Sequence, residues 1–206
     1  MLFAGPHGSG VLIQYRNELF LVSCRHVVEP ALEMGALKIA TAMGAVDLGT
    51  PIPRYWRGES ETQTADFAVV SLGLKTGPAP LFLHYDGLLS ARKIRSHMPV
   101  EILGFPSDSM IWGQPPKGKL RSIEALGFEA ETMEEPPGTT QSRVFHQYAM
   151  IDNLTPLAGM SGGLVITKEL GITMPFGILT SDTTGRADGV PMRLAQFVSF
   201  ADIFEQ

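Results

Sequence analysis

The apolar residues of this chain come in short runs, among them Val11-Leu12-Ile13, Leu19-Phe20-Leu21-Val22 and Phe67-Ala68-Val69-Val70, with turn-forming residues between them. Runs of that length suit buried β-strands and are too short for helices of several turns. The 22 Gly and 15 Pro of the 206 residues are scattered between the runs, and helix-favouring repeats of Ala, Glu and Lys are absent. A turn-rich, all-β chain is the expectation. Apolar residues make up 44%, enough for a packed core, and 18% charged residues is too few for a disordered tail protein.

Residues 9–23 hold two apolar runs around Arg16-Asn17-Glu18, the pattern of a β-hairpin. Ala36–Ala40 and Ala45–Leu48 suggest a second hairpin, residues 50–63 read as an exposed polar loop, and Phe67–Val70 as a buried strand. Residues 73–98, rich in Gly and Pro and carrying Arg92, Lys93 and Arg95, read as a crossover between two lobes, 1–90 and 91–206, of one domain. In the second lobe a strand at 100–106 is followed by strands near 119–128, 143–150, 163–167, 174–180 and 190–193. The acidic, Pro-containing stretch 129–140 reads as a loop. Leu194, Phe197, Val198, Ala201 and Phe204 are spaced for a short terminal helix packed on the second lobe.

The net charge of −5 is spread along the chain, and no basic face offers itself to phosphates, so nucleic acid is not an expected partner. No apolar stretch approaches the roughly 18 residues of a membrane span, so no membrane partner is expected either. Cys24 is the only cysteine, which rules out an internal disulfide, and the opening residues lack the charged and apolar regions of a secretory signal. A cytoplasmic location is the expectation. Neither a metal nor a cofactor is expected, because no CxxC, HExxH or calcium-loop pattern occurs.

The strongest local signal is Gly159-Met160-Ser161-Gly162-Gly163, followed by Leu164-Val165-Ile166. A serine hydroxyl becomes nucleophilic only beside a base, and acyl transfer also needs backbone N–H groups aimed at the developing oxyanion. Glycines around the serine permit the tight turn that gathers those groups. The pattern also fits the nucleophile elbow of α/β-hydrolases, but that order places Asp and then His after Ser. Here all five histidines, His7, His26, His84, His97 and His146, precede Ser161. The subtilisin order needs an Asp before the His; the earliest Asp is Asp47, so His26 cannot be its base, and no α/β pattern supports pairings with the later histidines. The order His, Asp, Ser remains. His26 follows the run ending at Ser23 and Asp66 directly precedes Phe67–Val70, so both are expected at strand ends, where a carboxylate can orient an imidazole.

With these residues in view, the chain resembles the trypsin-like, chymotrypsin-fold serine peptidases, most closely the bacterial disulfide-free branch that includes HtrA-type catalytic domains. The resemblance rests on Gly8-Ser9-Gly10, Ser23-Cys24-Arg25-His26-Val27-Val28, Asp66-Phe67-Ala68-Val69, Gly104-Phe105-Pro106 and Gly159-Met160-Ser161-Gly162-Gly163, which together span nearly the whole chain. It implies two six-stranded antiparallel β-barrels with a cleft between them. His26 and Asp66 would come from the first barrel and Ser161 from the second, with the N–H groups of Gly159 and Ser161 as the oxyanion hole. It also implies that Thr180 lies beside Asp66, and that Thr180, Ser181 and Asp182 pair with an extended peptide substrate.

Some residues depart from the family pattern. Met160 stands where digestive members carry the Asp that pairs with a newly cut N-terminus, so activation by such a cut is not expected. By the same resemblance, Thr155 would stand where trypsin-specific members carry a pocket-base Asp, Gly189 would keep the pocket open, and Asp182 and Asp188 would lie near its rim. An uncharged, small-to-medium side chain before the cut bond is the resulting expectation. The partners implied are a peptide or protein substrate and, in one alternative, a regulatory partner that switches the enzyme on. A second alternative is a pseudo-peptidase that binds extended peptides without cutting them.

Overall fold

The computed structural model describes residues 2–5, 8–33, 38–41, 44–47, 53–54, 66–72, 83–87, 97–106, 111–112, 120–122, 126–133, 147–151, 157–169, 172–187 and 190–205. The chain is mostly β with a short C-terminal helix. Its front half contributes β1 (Leu2–Gly5), β2 (Gly8–Tyr15), β3 (Glu18–Ser23), helix α1 (Arg25–Glu33), β4 (Lys38–Thr41), β5 (Gly44–Asp47), β6 (Pro53–Arg54), β7 (Ala68–Ser71) and β8 (Leu83–His84). These strands form one eight-stranded sheet in the order β5-β4-β1-β2-β3-β7-β6, with β8 paired in parallel to β2.

The rear half contributes β9 (Pro99–Gly104), a small ribbon of β10 (Ile111–Trp112) and β11 (Leu120–Ser122), then β12 (Leu126–Met133) and β13 (Gln147–Ile151). After them come β14 (Leu164–Glu169), β15 (Ile172–Ala187), β16 (Val190–Ser199) and helix α2 (Phe200–Phe204). Six of these strands close a barrel in the order β12-β13-β16-β15-β14-β9, every neighbour antiparallel.

The alternation of strand side chains explains how the halves fit together. On the front sheet, Leu12, Leu19, Leu21, Ala68 and Val70 point to one face and pack with Val28 of α1. Val11, Ile13, Phe20, Val22 and Val69 point to the other, where they meet the outer wall of the barrel: Leu164, Ile166, Ile178 and Val198. The barrel fills its own interior with Val100, Ile102, Ala149, Val165, Phe176, Ala195 and Phe197. Three apolar layers result, and the middle one belongs to both halves.

Both expected hairpins are present. Arg16 and Asn17 join β2 to β3 with positive φ at both positions, the geometry of a two-residue turn whose twist matches the strands. The second pairs β4 with β5. Pro53–Arg54, inside the stretch expected to be a loop, instead pairs with β7. The expected loop at 129–140 begins as strand, because β12 runs to Met133 and pairs with β9 and β13. The lobe boundary near residue 90 lies outside the described residues.

The terminal helix is shorter than its spacing suggests. Leu194–Ser199 continues β16, and α2 starts at Phe200, where the Ser199 hydroxyl accepts from the Asp202 N–H as an N-cap. Its packing also differs from a dock on the rear half alone. The Phe204 ring sits 5.1 Å from Tyr15 and 6.0 Å from Phe20, both on the front sheet, and 5.5 Å from Tyr85. Tyr85 in turn hydrogen-bonds Glu205. The chain end therefore staples the barrel to the sheet. Among the described residues no helix is long and apolar enough to cross a membrane.

Replacing the buried Phe204 with Ala is expected to cost about 3–5 kcal/mol, the usual range for an aromatic ring lost from a core. Urea unfolding followed by fluorescence and by circular dichroism is expected to give coincident transitions, because the layer that is damaged is common to both halves.

Candidate active site

Two of the predicted residues meet directly. The Nδ1 of His26 lies 2.5 Å from Oδ2 of Asp66, and the backbone N–H of His26 donates to Oδ1 of the same carboxylate at 3.1 Å. His26 was expected at a strand end. Instead β3 stops at Ser23, and His26 occupies the first turn of α1, which begins at Arg25. That difference explains the second bond, since first-turn N–H groups have no partner within a helix and favour an anionic acceptor. Asp66 thus holds the residue by its backbone and its ring at once. With Nδ1 donating to Asp66, the lone pair of the neutral imidazole resides on Nε2. The ring stays accessible, with 49% of the His26 side chain exposed and 36% of Asp66.

Beneath this pair lies Cys24, fully buried. Its thiol donates to the carbonyls of Leu179 at 3.2 Å and Thr180 at 3.5 Å, both on the barrel. Burial, and then the negative charge of Asp66, push the thiol well above its ordinary pKa. Among the described residues, Cys24, His26 and Asp66 are the group whose donor atoms, all within 4.8 Å of one another, could hold a metal ion. Here the thiol is a hydrogen-bond donor, and the carboxylate is engaged with the histidine.

Ser161 sits in the turn that leads into β14. Gly159 and Gly162 both have φ +84°, so a side chain at either would be strained. At Gly162 a Cβ would also run into the Ser9 carbonyl and the Ser23 hydroxyl. Met160, between the glycines, is fully buried in the barrel interior. Met160 therefore serves as an apolar anchor for the turn.

The hydrogen bonds of this turn can be followed group by group. The Met160 N–H donates to Leu157 O at 2.9 Å, Gly162 to Leu179 O at 2.7 Å and Gly163 to Met160 O at 2.7 Å. Among the described residues the N–H groups of Gly159 and Ser161 find no acceptor. These are the two groups expected to form the oxyanion hole.

The turn is pressed against the front sheet. The Ser9 N–H donates to the Ser161 carbonyl at 2.7 Å, and the Ser9 hydroxyl donates to the Gly159 carbonyl at 2.9 Å. The Ser23 hydroxyl donates to the Ser9 carbonyl at 2.6 Å, only three residues before His26. Ser161 is in this way tied to the strand that leads to the histidine, although the His26 ring and the Ser161 hydroxyl do not hydrogen-bond each other. Ser9 and Ser23 were legible only as members of the quoted motifs, and neither had a role assigned from sequence.

Of the expected substrate-binding residues, Thr180 lies at a bulge where the β15–β16 register shifts. Its carbonyl faces Cys24, while its hydroxyl donates to Gln196 O at 3.0 Å. The Ser181 hydroxyl bonds the Gln196 side chain, and Asp182 pairs with Arg193 at 2.7 Å. Thr155, Asp188 and Gly189 lie outside the described residues, as do His7 and His146. His84 and His97 are exposed, His84 on β8 and His97 just before β9.

The buried thiol makes stability sensitive to alkali. Because the folded pKa is raised, the unfolded chain gives up its proton first, and stability is lost as pH climbs past the ordinary thiol value of about 8.5. Urea midpoints measured from neutral to about pH 10 are expected to fall more steeply for the natural chain than for Cys24→Ala. Parallel curves would show that the thiol is not responsible.

Searches with this chain match no protein-family model and no curated protein.

Proposed function

We propose that the chain is a serine endopeptidase that hydrolyses peptide bonds through a His26–Asp66–Ser161 triad and an acyl-enzyme intermediate. The observation that carries the reading is the Asp66 carboxylate gripping His26 through both ring and backbone across 40 residues of sequence. That grip leaves Nε2 as the base. His26 takes the proton of Ser161 as the hydroxyl attacks the substrate carbonyl, and returns it to the leaving amine. Asp66 stabilises the imidazolium formed between these steps. The unpaired N–H groups of Gly159 and Ser161 receive the oxyanion. Water then repeats the sequence on the acyl-enzyme.

In this reading the closed rear barrel is one of the two barrels of a chymotrypsin-like fold, the eight-stranded front sheet stands in the place of the other, and the two lobes meet near residue 90. Beyond Leu179, β15 pairs only with β16 among the described residues, so its other edge can add an extended peptide at Thr180–Asp182. Asp182 is already paired with Arg193, which favours an uncharged side chain before the cut bond over a basic one.

A second reading has its own support. The missing hydrogen bond between His26 and Ser161 suits a protein that binds peptides without cutting them, or one that a regulatory partner completes. Catalytic hydrogen bonds are often long without substrate, so the missing bond does not displace the first reading.

The two readings separate in a cleavage assay on a peptide library, with products identified by mass spectrometry. Turnover is expected for the natural chain and none for Ser161→Ala with its fold intact. Asp66→Asn, which favours the wrong imidazole tautomer, is expected to lower kcat about 10⁴-fold. Peptide binding without turnover would support the second reading. Equal cleavage by the natural chain and Ser161→Ala would reject both.

A further inference from the structure

The geometry points to Ser9 as the positioning residue of the oxyanion site, an assignment that rests on the peptidase reading and extends it. Two N–H groups can stabilise an oxyanion only if their directions are set before the charge appears. Neither the Gly159 nor the Ser161 N–H is bonded within the turn, so neighbouring peptide planes must set them. Each plane is rigid and is fixed when both its carbonyl and its N–H are held.

Ser9 holds two of those planes. In the plane joining residues 159 and 160, the Met160 N–H is bonded to Leu157 and the Gly159 carbonyl to the Ser9 hydroxyl. In the plane joining 161 and 162, the Gly162 N–H is bonded to Leu179 and the Ser161 carbonyl to the Ser9 N–H. The plane between them, which carries the Ser161 N–H, has its Met160 carbonyl held by Gly163. Removing the Ser9 hydroxyl frees the Gly159 carbonyl. That group sits on a glycine with φ +84°, a residue type whose backbone rotates readily. A carbonyl turned toward the site would place negative charge where the oxyanion forms.

Ser9 is itself held from both halves. It is fully buried, its hydroxyl accepts from the Phe105 N–H at the end of β9 at 2.9 Å, and its carbonyl accepts from Ser23. Each polar atom of the residue is in use, and the hydroxyl both donates and accepts. Alanine has no group to make either bond, whereas threonine carries a hydroxyl that can donate and accept in the same way.

The test compares the full chain with Ser9→Ala and Ser9→Thr, with turnover expressed per folded molecule. Losing an entire oxyanion donor costs about 10²–10³ in kcat, so displacing the donors is expected to cost Ser9→Ala about 10–10²-fold. KM is expected to stay within about twofold, because these groups act on charge absent from the ground state. Ser9→Thr is expected to restore most of kcat. In nitrogen-15 spectra, the Gly159 amide proton is expected to move downfield when a peptide boronic acid binds the natural chain and Ser9→Thr, but not Ser9→Ala. Ser9→Cys, near in size and a weaker donor, serves if the alanine variant does not fold, with kcat expected between those of the natural chain and the value for a lost hydroxyl. An unchanged kcat in a less stable Ser9→Ala or Ser9→Cys would make Ser9 a structural tie only and overturn the inference alone. Absence of turnover in the natural chain would overturn the peptidase reading and this inference with it.

Discussion

One face of the front sheet and one outer wall of the rear barrel are apolar, and water tolerates neither. Val11, Ile13, Phe20 and Val22 meet Leu164, Ile166, Ile178 and Val198 in a layer to which both halves contribute, closed at one end by Phe200, Ile203 and Phe204. At roughly 25 cal/mol per Å² of apolar surface removed from water, a layer of this kind is the main force holding the halves together. Its geometry also fixes which polar groups face each other at its margin. Ser9, Ser23, Cys24 and the turn around Ser161 lie there, and their hydrogen bonds convert a non-directional attraction into a definite register.

That register gives the site its chemistry. A histidine in the first turn of a helix brings an unpaired backbone N–H, and Asp66 satisfies it while orienting the ring. The serine turn reaches the same margin with its Gly159 and Ser161 carbonyls tied to the front sheet and the N–H groups of the same two residues without an acceptor among the described residues. Met160 anchors the turn by filling the barrel interior, so the turn needs no buried charge to hold it and no counter-ion to offset desolvation. The thiol of Cys24 likewise stays a neutral donor under an anionic pair, the form that burial favours.

Much of this was legible in the sequence because the informative residues lie at strand ends. Ser23 closes one apolar run and Asp66 opens another, which is enough to bring His26, just past β3, and Asp66, just before β7, to the same end of two neighbouring strands. Helix α1 was not legible, because Val27, Val28 and Pro30 are poor helix residues and tertiary packing overrides that preference. The acidic stretch hid the end of β12, where Ala130 and Thr132 alternate with Glu129 and Glu131 in strand period. Leu194, Phe197 and Val198 mimicked a helix because β16 from Leu194 onward is buried on both faces except at half-buried Gln196, which leaves little polar side to reveal its alternation. The role of Ser9 depends on partners as far away as Gly159 and Phe105, a proximity that no local pattern encodes.

A crystal structure of the protein after reaction with a peptidyl phosphonate shows most directly where a tetrahedral adduct lies. The expected result is phosphorus bonded to Oγ of Ser161, with one phosphoryl oxygen accepting from the Gly159 and Ser161 N–H groups and the His26 ring still held by Asp66. An adduct on another residue, or a phosphoryl oxygen directed away from both N–H groups, would contradict it.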